Sequence, residues 1–227
     1  MTTGTREWAD SNVNVLQGCS NNCRYCYAAG MAVRFKRATR ETWPNMSVNT
    51  AMLDKGFKKR GGRVMFPTSH DIPRPSEFPA EYAACKLVLT RLLAAGNEVL
   101  VTSKPNVEAI DDITDSLDMY RPQIQFRFTI TSIHGELIYR WEPGAPTLDE
   151  RIAALKLATQ RGFATSVSIE PCLDSDPRPL VALLAPHVSG TIWLGPMNHV
   201  RGAPTTPDDV ANWHKWFQGE SQVKFKH

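Results

Sequence analysis

Short β-branched or apolar runs alternate six times with longer segments of helical period, and that alternation restricts the chain to a parallel α/β fold. In this sequence of 227 residues the first strand runs from Val13 to Gln17, with a helix beginning near Ala28. The second, Arg63 to Phe66, leads through the loop Pro67 to Pro75 into a helix from Pro79 to Ala95, which Gly96 stops. Tyr82, Cys85, Leu89 and Leu92 fall on one face of that helix at spacings of three and four, a core stripe. The third strand, Glu98 to Thr102, precedes a helix over Val107 to Leu117, and the fourth, Ile124 to Thr131, alternates Phe126, Phe128 and Ile130 with polar residues. Thr147 and Glu150 form a capping-box pattern opening a helix that reaches Arg161, with Gly162 closing it. Strand five, Thr165 to Ile169, is followed by a helix over Arg178 to Leu184; strand six, Thr191 to Leu194, is followed by a helix capped by Thr206 with Pro207 at its first position. Right-handed crossovers curl six such units into a partial (β/α)6 barrel, TIM-like, whose functional loops gather at the carboxyl ends of the strands. The expected organisation is one domain over 1–227, with the barrel over 12–217 and a short C-terminal tail over 218–227.

The loop after the first strand carries Cys19, Cys23 and Cys26 in the spacing C-x3-C-x2-C. One short loop can wrap three thiolates around a single inorganic centre, and thiolates are the usual ligands of iron-sulfur clusters. Three ligands on a four-iron cluster leave one iron open to a substrate or cofactor. A Cys3His zinc knuckle is the alternative, but no histidine lies near the triplet and the next in sequence is His70.

Five cysteines, an odd number with three clustered, fit a reducing compartment better than a disulfide framework. No apolar run is long enough to span a membrane, and the first eight residues, Met1 to Trp8, lack the apolar core of a signal peptide, so the expectation is a cytoplasmic protein. The net charge of +3 is unevenly spread: Arg34, Lys36, Arg37, Arg40, Lys55, Lys58, Lys59, Arg60 and Arg63 follow the cysteine loop. Such a stretch suits an anionic partner, nucleic acid or nucleotide, or is simply a solvated basic face.

With Tyr25 just before the third cysteine, the run Gly18-Cys-Ser-Asn-Asn-Cys-Arg-Tyr-Cys-Tyr-Ala28 resembles the signature of the radical S-adenosylmethionine (SAM) superfamily. The resemblance is nearest to the branch of spore photoproduct lyase and the DNA-repair-photolyase-like proteins, through the Thr102-Ser-Lys104 turn and the strand end Ser168-Ile-Glu170-Pro171 as well. It implies a 4Fe-4S cluster on Cys19, Cys23 and Cys26 whose open iron is chelated by SAM. It also implies reductive cleavage of SAM to a 5'-deoxyadenosyl radical that abstracts hydrogen from a substrate, and an electron donor such as flavodoxin or ferredoxin. By position, the SAM contacts it implies after strands two, three and four are Ser69, Lys104, and Thr131 or Ser132. The lyase has a hydrogen-donating cysteine after its second strand, where this chain reads Phe66-Pro-Thr-Ser69, so thymine-dimer repair does not carry over.

Other polar residues past the strand ends complete the candidates. Lysine pairs with a carboxylate, which suits Lys104 to the SAM carboxylate; Asp71 and hydroxyls accept from its ammonium or ribose. Glu170 is a candidate for ribose or substrate, Cys172 for hydrogen-atom donation or a thiolate role, and His199 and Arg201 for a substrate anion. The function expected is thus a radical SAM enzyme of lyase or oxidoreductase type. An iron-sulfur redox or binding module without turnover, and a zinc-stabilised nucleic-acid-binding protein, remain open on the residues alone.

Overall fold

A computed structural model describes residues 4–197, 200 and 202–226. Among them the strands are β1 (Ser11–Asn12), β2 (Leu16–Gln17), β3 (Ser47–Val48), β4 (Val64–Phe66), β5 (Val99–Ser103), β6 (Ile124–Thr129), β7 (Ala164–Ile169), β8 (Ile192–Leu194) and β9 (Val223–Phe225). The helices are α1 (Tyr27–Arg34), α2 (Thr50–Leu53), α3 (Pro79–Ala94), α4 (Val107–Ser116), α5 (Gly135–Trp141), α6 (Leu148–Gln160), α7 (Arg178–Leu184) and α8 (Pro207–Trp216). Seven strands form one sheet in the order β1-β4-β5-β6-β7-β8-β9, and every neighbouring pair in it is parallel. With a helix in each crossover between neighbours from β4 to β9, this is the partial α/β barrel that the alternation predicts.

The two faces of the sheet divide by chemistry. Val64, Phe66, Val99, Val101, Phe126, Phe128, Val167 and Ile169 belong to one large buried cluster with Val88, Leu89 and Leu92 of α3, Ile110 and Ile113 of α4, and Leu155 of α6. Side chains at alternate positions point the other way, into the lumen, and there Thr102, Arg127, Thr129 and Ser168 line a cavity. The Phe126 and Phe128 rings stack at 5.2 Å, and each buried ring contributes about 1.5–3 kcal/mol through removal from water. Tyr82, Cys85, Leu89 and Leu92 are all buried, as their helical spacing predicts.

Three departures from the sequence reading have physical causes. The stretch read as one strand, Val13 to Gln17, is split: Ser11–Asn12 joins the sheet beside β4, while Leu16–Gln17 pairs antiparallel with Ser47–Val48. Val13 and Val15 are buried as a strand pattern requires, but the backbone amides of Val15 and Leu16 both donate to Nε2 of His70 at 3.2 Å, which keeps them out of the seven-stranded sheet. The stretch read as a tail contains β9, so the sheet has one strand more than the six counted; Val223 is buried and the strand pairs with β8. At α6 only half of the expected capping box forms: the Thr147 hydroxyl accepts from the Glu150 amide at 3.3 Å, but the Glu150 carboxylate is bonded to Arg74 at 2.7 Å.

Gly18 links β2 to the cysteine loop with φ +89°, and a Cβ there would stand 2.6 Å from the Trp43 carbonyl oxygen and 2.9 Å from that of Asn45. Only glycine lets the loop lie against this neighbouring backbone. Gly18→Ala is expected to cost about 1–3 kcal/mol in urea unfolding, the usual strain of a disallowed conformation held in place. A variant as stable as the parent would contradict this packing.

Candidate active site

The cysteine loop sits at the carboxyl end of the barrel, over the lumen. The thiols of Cys19, Cys23 and Cys26 are free of disulfides, and all three residues line a cavity of about 370 Å³ together with Tyr25, Ser69, Asp71, Lys104 and Glu170. The loop is pinned at both edges. Cys19 N donates to the Trp43 carbonyl at 3.1 Å and Arg24 N to the Trp141 carbonyl at 2.8 Å, while Gly144 N donates to the Asn21 carbonyl at 3.2 Å. A Cβ on Gly144 would collide with the Ser20 carbonyl, so that approach also needs glycine. Cys26 caps α1, its sulfur accepting from Ala29 N at 3.4 Å.

Asp71 organises the opposite wall. It accepts from Lys104 N at 2.6 Å, Asn21 Nδ2 at 2.8 Å and Ser103 Oγ at 3.2 Å, and its carboxylate lies 3.7 Å from the Cys19 sulfur and 3.8 Å from Lys104 Nζ. Burial alone would raise its pKa, but the Lys104 charge and these bonds outweigh burial and hold it below the usual range. For Lys104 burial likewise works against the charge, yet Cys23, Tyr25, Asp71 and Glu142 around it keep it well above the ordinary lysine value. Its ammonium lies 5.6 Å from the centre of the Tyr25 ring. As free thiols, Cys19 and Cys23 are pushed up by burial, Cys23 to about 12, so a cationic centre is what would keep them as thiolates.

Tyr25 leads to a buried network that the sequence did not reveal. Its hydroxyl donates to Glu142, which also accepts from Thr131 Oγ1 at 2.9 Å and pairs with Arg151. The Glu142 and Arg151 side chains are fully buried, and Arg151 Nε also holds the Pro146 carbonyl at 2.8 Å. The one local signal was a charged residue, Arg151, on the apolar side of α6.

The candidate residues therefore separate. Cys19, Cys23, Tyr25, Cys26, Ser69, Asp71, Lys104 and Glu170 share the cavity. Thr131 and Ser132 are fully buried behind it: Thr131 serves Glu142, and Ser132 donates to Asp174. Cys172 is fully buried too, its thiol donating to the Asp174 carbonyl at 3.3 Å, and burial raises its pKa; it belongs to the main apolar cluster and does not line the cavity. Glu170 pairs with Lys226 at 3.1 Å, and burial raises its pKa. His199 and Arg201 lie outside the described residues. Residues missed by sequence reasoning are Trp8, Arg127 and Lys226 on the cavity wall. Arg127 carried a signal, a cation between two phenylalanines in a strand.

Among the described residues, no group of three or more His, Cys, Asp and Glu side chains is arranged to hold a single metal ion. No helix among them is long and apolar enough to cross a membrane.

A family model described as the radical SAM superfamily matches residues 13–173. An uncharacterized protein of Acidianus two-tailed virus is 25% identical over 175 residues, covering 72% of this chain and 55% of the viral protein. An uncharacterized protein of Methanocaldococcus jannaschii is 24% identical over 163 residues, covering 71% of this chain and 60% of the relative. The chain thus spans little more than half the length of these relatives. Among solved structures, spore photoproduct lyase complexed with dinucleoside spore photoproduct aligns with TM-score 0.56 and 18% identity over 83% of this chain and 57% of that one. SuiB of Streptococcus suis bound to precursor peptide SuiA aligns with TM-score 0.58 and 11% identity over 96% and 48%. At these identities the likeness is one of fold.

His70 makes the region sensitive to acid. Its ring accepts two backbone amides through Nε2, and Nδ1 lies 2.9 Å from the Asp71 carbonyl, so the ring serves in its neutral form. Burial lowers its pKa from 6.5 to about 4. The stability it contributes is fully present above pH 6.5 and is lost as pH falls toward 4, roughly 3 kcal/mol in all. Urea unfolding across that window should show this loss in the parent and a shallower pH slope in His70→Gln; equal slopes would contradict it.

Proposed function

This chain belongs to the radical SAM superfamily, and from that premise we propose that it is a radical SAM enzyme holding a four-iron cluster on Cys19, Cys23 and Cys26, with SAM in the cavity beside it. The observation that carries this reading is the meeting, in one cavity, of three free thiols with a buried lysine and aspartate. The donor set suits the cluster: three cysteine sulfurs on one short loop pinned at both edges. When bound, the cluster and SAM supply one-electron cleavage of a SAM carbon-sulfur bond and a carbon radical that removes a hydrogen atom from substrate.

The protein's own contribution is orientation and exclusion of water. Lys104, held by Asp71 over the Tyr25 ring, offers its ammonium to the SAM carboxylate. Asp71 and Ser69 face the ammonium end, and Glu170 the ribose or the substrate. Glu142 and Arg151 act through Tyr25, fixing the aromatic residue of the cysteine motif. Thr131 and Ser132 act one layer further out, through Glu142 and Asp174.

The substrate class that fits best is nucleic acid or nucleotide. Arg34, Lys36, Arg37 and Arg40 are exposed just beyond the cysteine loop, with the Arg34 and Arg37 guanidinium groups 5.8 and 5.7 Å from the exposed Phe35 ring. Cations interleaved with an aromatic suit phosphate and base together. The fold likeness to a lyase complexed with a dinucleoside is in keeping with this. An acidic electron donor such as flavodoxin or ferredoxin, in a reducing cytoplasm, completes the cycle.

Anaerobic reconstitution followed by reduction tests the reading. The parent should convert SAM to 5'-deoxyadenosine and methionine, and Cys26→Ala should reduce this to background. Lys104→Met should weaken SAM binding about tenfold or more while cluster absorbance is unchanged, the loss expected for one charge-assisted hydrogen bond. A sound cluster that never cleaves SAM contradicts the proposal. Label transfer from oligonucleotides, nucleotides and peptides into 5'-deoxyadenosine then identifies the substrate class.

A further inference from the structure

Below the cysteine loop the cavity continues into the barrel, where Trp8, Met65, Arg127 and Lys226 line it. Arg127 is in the middle of β6, and because Phe126 and Phe128 on either side face the helices, its side chain enters the lumen. It is only 4% exposed. Nε donates to Ser166 Oγ at 3.0 Å, and the guanidinium carbon lies 4.6 Å from the centre of the Trp8 ring and 5.3 Å from that of Trp193. Nη1 is buried with no partner among the described residues, as are the indole N–H groups of Trp8 and Trp193.

A buried guanidinium stays charged and normally needs a counter-ion. The carboxylate near it, Glu170, is paired with Lys226 at 3.1 Å, and among the described residues none forms an ion pair with Arg127. Burial, and after it the like charge of Arg63, lowers the Arg127 pKa to about 10, although Glu170 works the other way. Around the floor three cations, Arg63, Arg127 and Lys226, outnumber two carboxylates, Glu7 and Glu170; a Glu7 oxygen is also buried and unpartnered. The site therefore holds free donors, one free acceptor, excess positive charge and aromatic walls, with Arg127 and Trp193 fixed on β6 and β8.

We propose that this floor binds the anionic end of the substrate, a phosphate or a carboxylate, on Arg127 Nη1 and the Trp8 and Trp193 indole N–H groups. Glu7 then accepts from a hydroxyl or N–H beside the anion, and Lys226 adds charge from its place over the Trp8 ring, 3.8 Å from the ring centre. This rests on the reading of the upper cavity as the SAM site, with Glu170, which lies beside Lys226 at the border of the floor, serving the substrate and not the ribose.

The test is calorimetric titration of the cluster-loaded full chain, with SAM present, at constant ionic strength, using inorganic phosphate and acetate as probes. Saturable one-site binding of either is expected, and the tighter one names the source of the anion; saturation by neither overturns the proposal. Arg127→Met should weaken that binding tenfold or more and leave SAM affinity unchanged. Trp193→Phe, which keeps an aromatic ring and removes the N–H, should weaken it several-fold and serves if Arg127→Met does not fold. If Arg127→Met and Trp193→Phe both bind the anion as the parent does, or if SAM affinity falls in step with anion affinity, the floor is not a substrate site. In that case the cofactor reading still stands. A parent that binds the anion but never SAM removes the cofactor reading, and the substrate role with it.

Discussion

The carboxylate of Asp71 ties three loops into one wall. It takes the Lys104 amide after β5, the Asn21 amide group in the cysteine loop and the Ser103 hydroxyl, and it stands beside both Cys19 and the Lys104 ammonium. A buried carboxylate is costly unless its oxygens are filled, and here the filling partners are the elements that must be held in register. Losing one partner would leave the others around an unsatisfied charge, so the geometry of the cavity mouth is set cooperatively.

On the other side of the cysteine loop, the Glu142 and Arg151 pair plays the corresponding part. It joins Tyr25 and Thr131 to the start of α6, and the backbone bonds from Arg24 to Trp141 and from Gly144 to Asn21 follow the same path. The cysteine loop is therefore clamped between two buried ionic centres. This arrangement is affordable because the outer face of the sheet is so apolar: Phe126, Phe128 and their neighbours supply the burial, and the lumen is left to polar side chains.

Local pattern made much of this legible. The meeting of the cysteine triplet at one cavity could be read because close spacing is a property of adjacent residues, and the barrel because burial on a parallel sheet imposes short apolar runs between amphipathic helices. Lys104 and Asp71 were found as polar residues just past strand ends. What escaped depends on distant partners. Nothing near Leu16 announces that His70 will take its amide, or that Ser47–Val48 will pair with it. The capping role of Thr147 is local and visible, whereas the capture of Glu150 by Arg74, from far along the chain, is not. Cys172 had the sequence context of a loop residue but lies packed in the core, because the chain beyond β7 turns inward before α7.

The account stands on the claim that Cys19, Cys23 and Cys26 hold a cluster with one open iron facing Lys104 and Asp71. Electron paramagnetic resonance of the anaerobically reconstituted, reduced chain, recorded with and without SAM, tests it most directly. The account predicts a reduced four-iron signal whose g-values change when SAM is added, with the change lost or weakened in Lys104→Met. A four-iron signal indifferent to SAM, or zinc in place of iron after reconstitution, would contradict it.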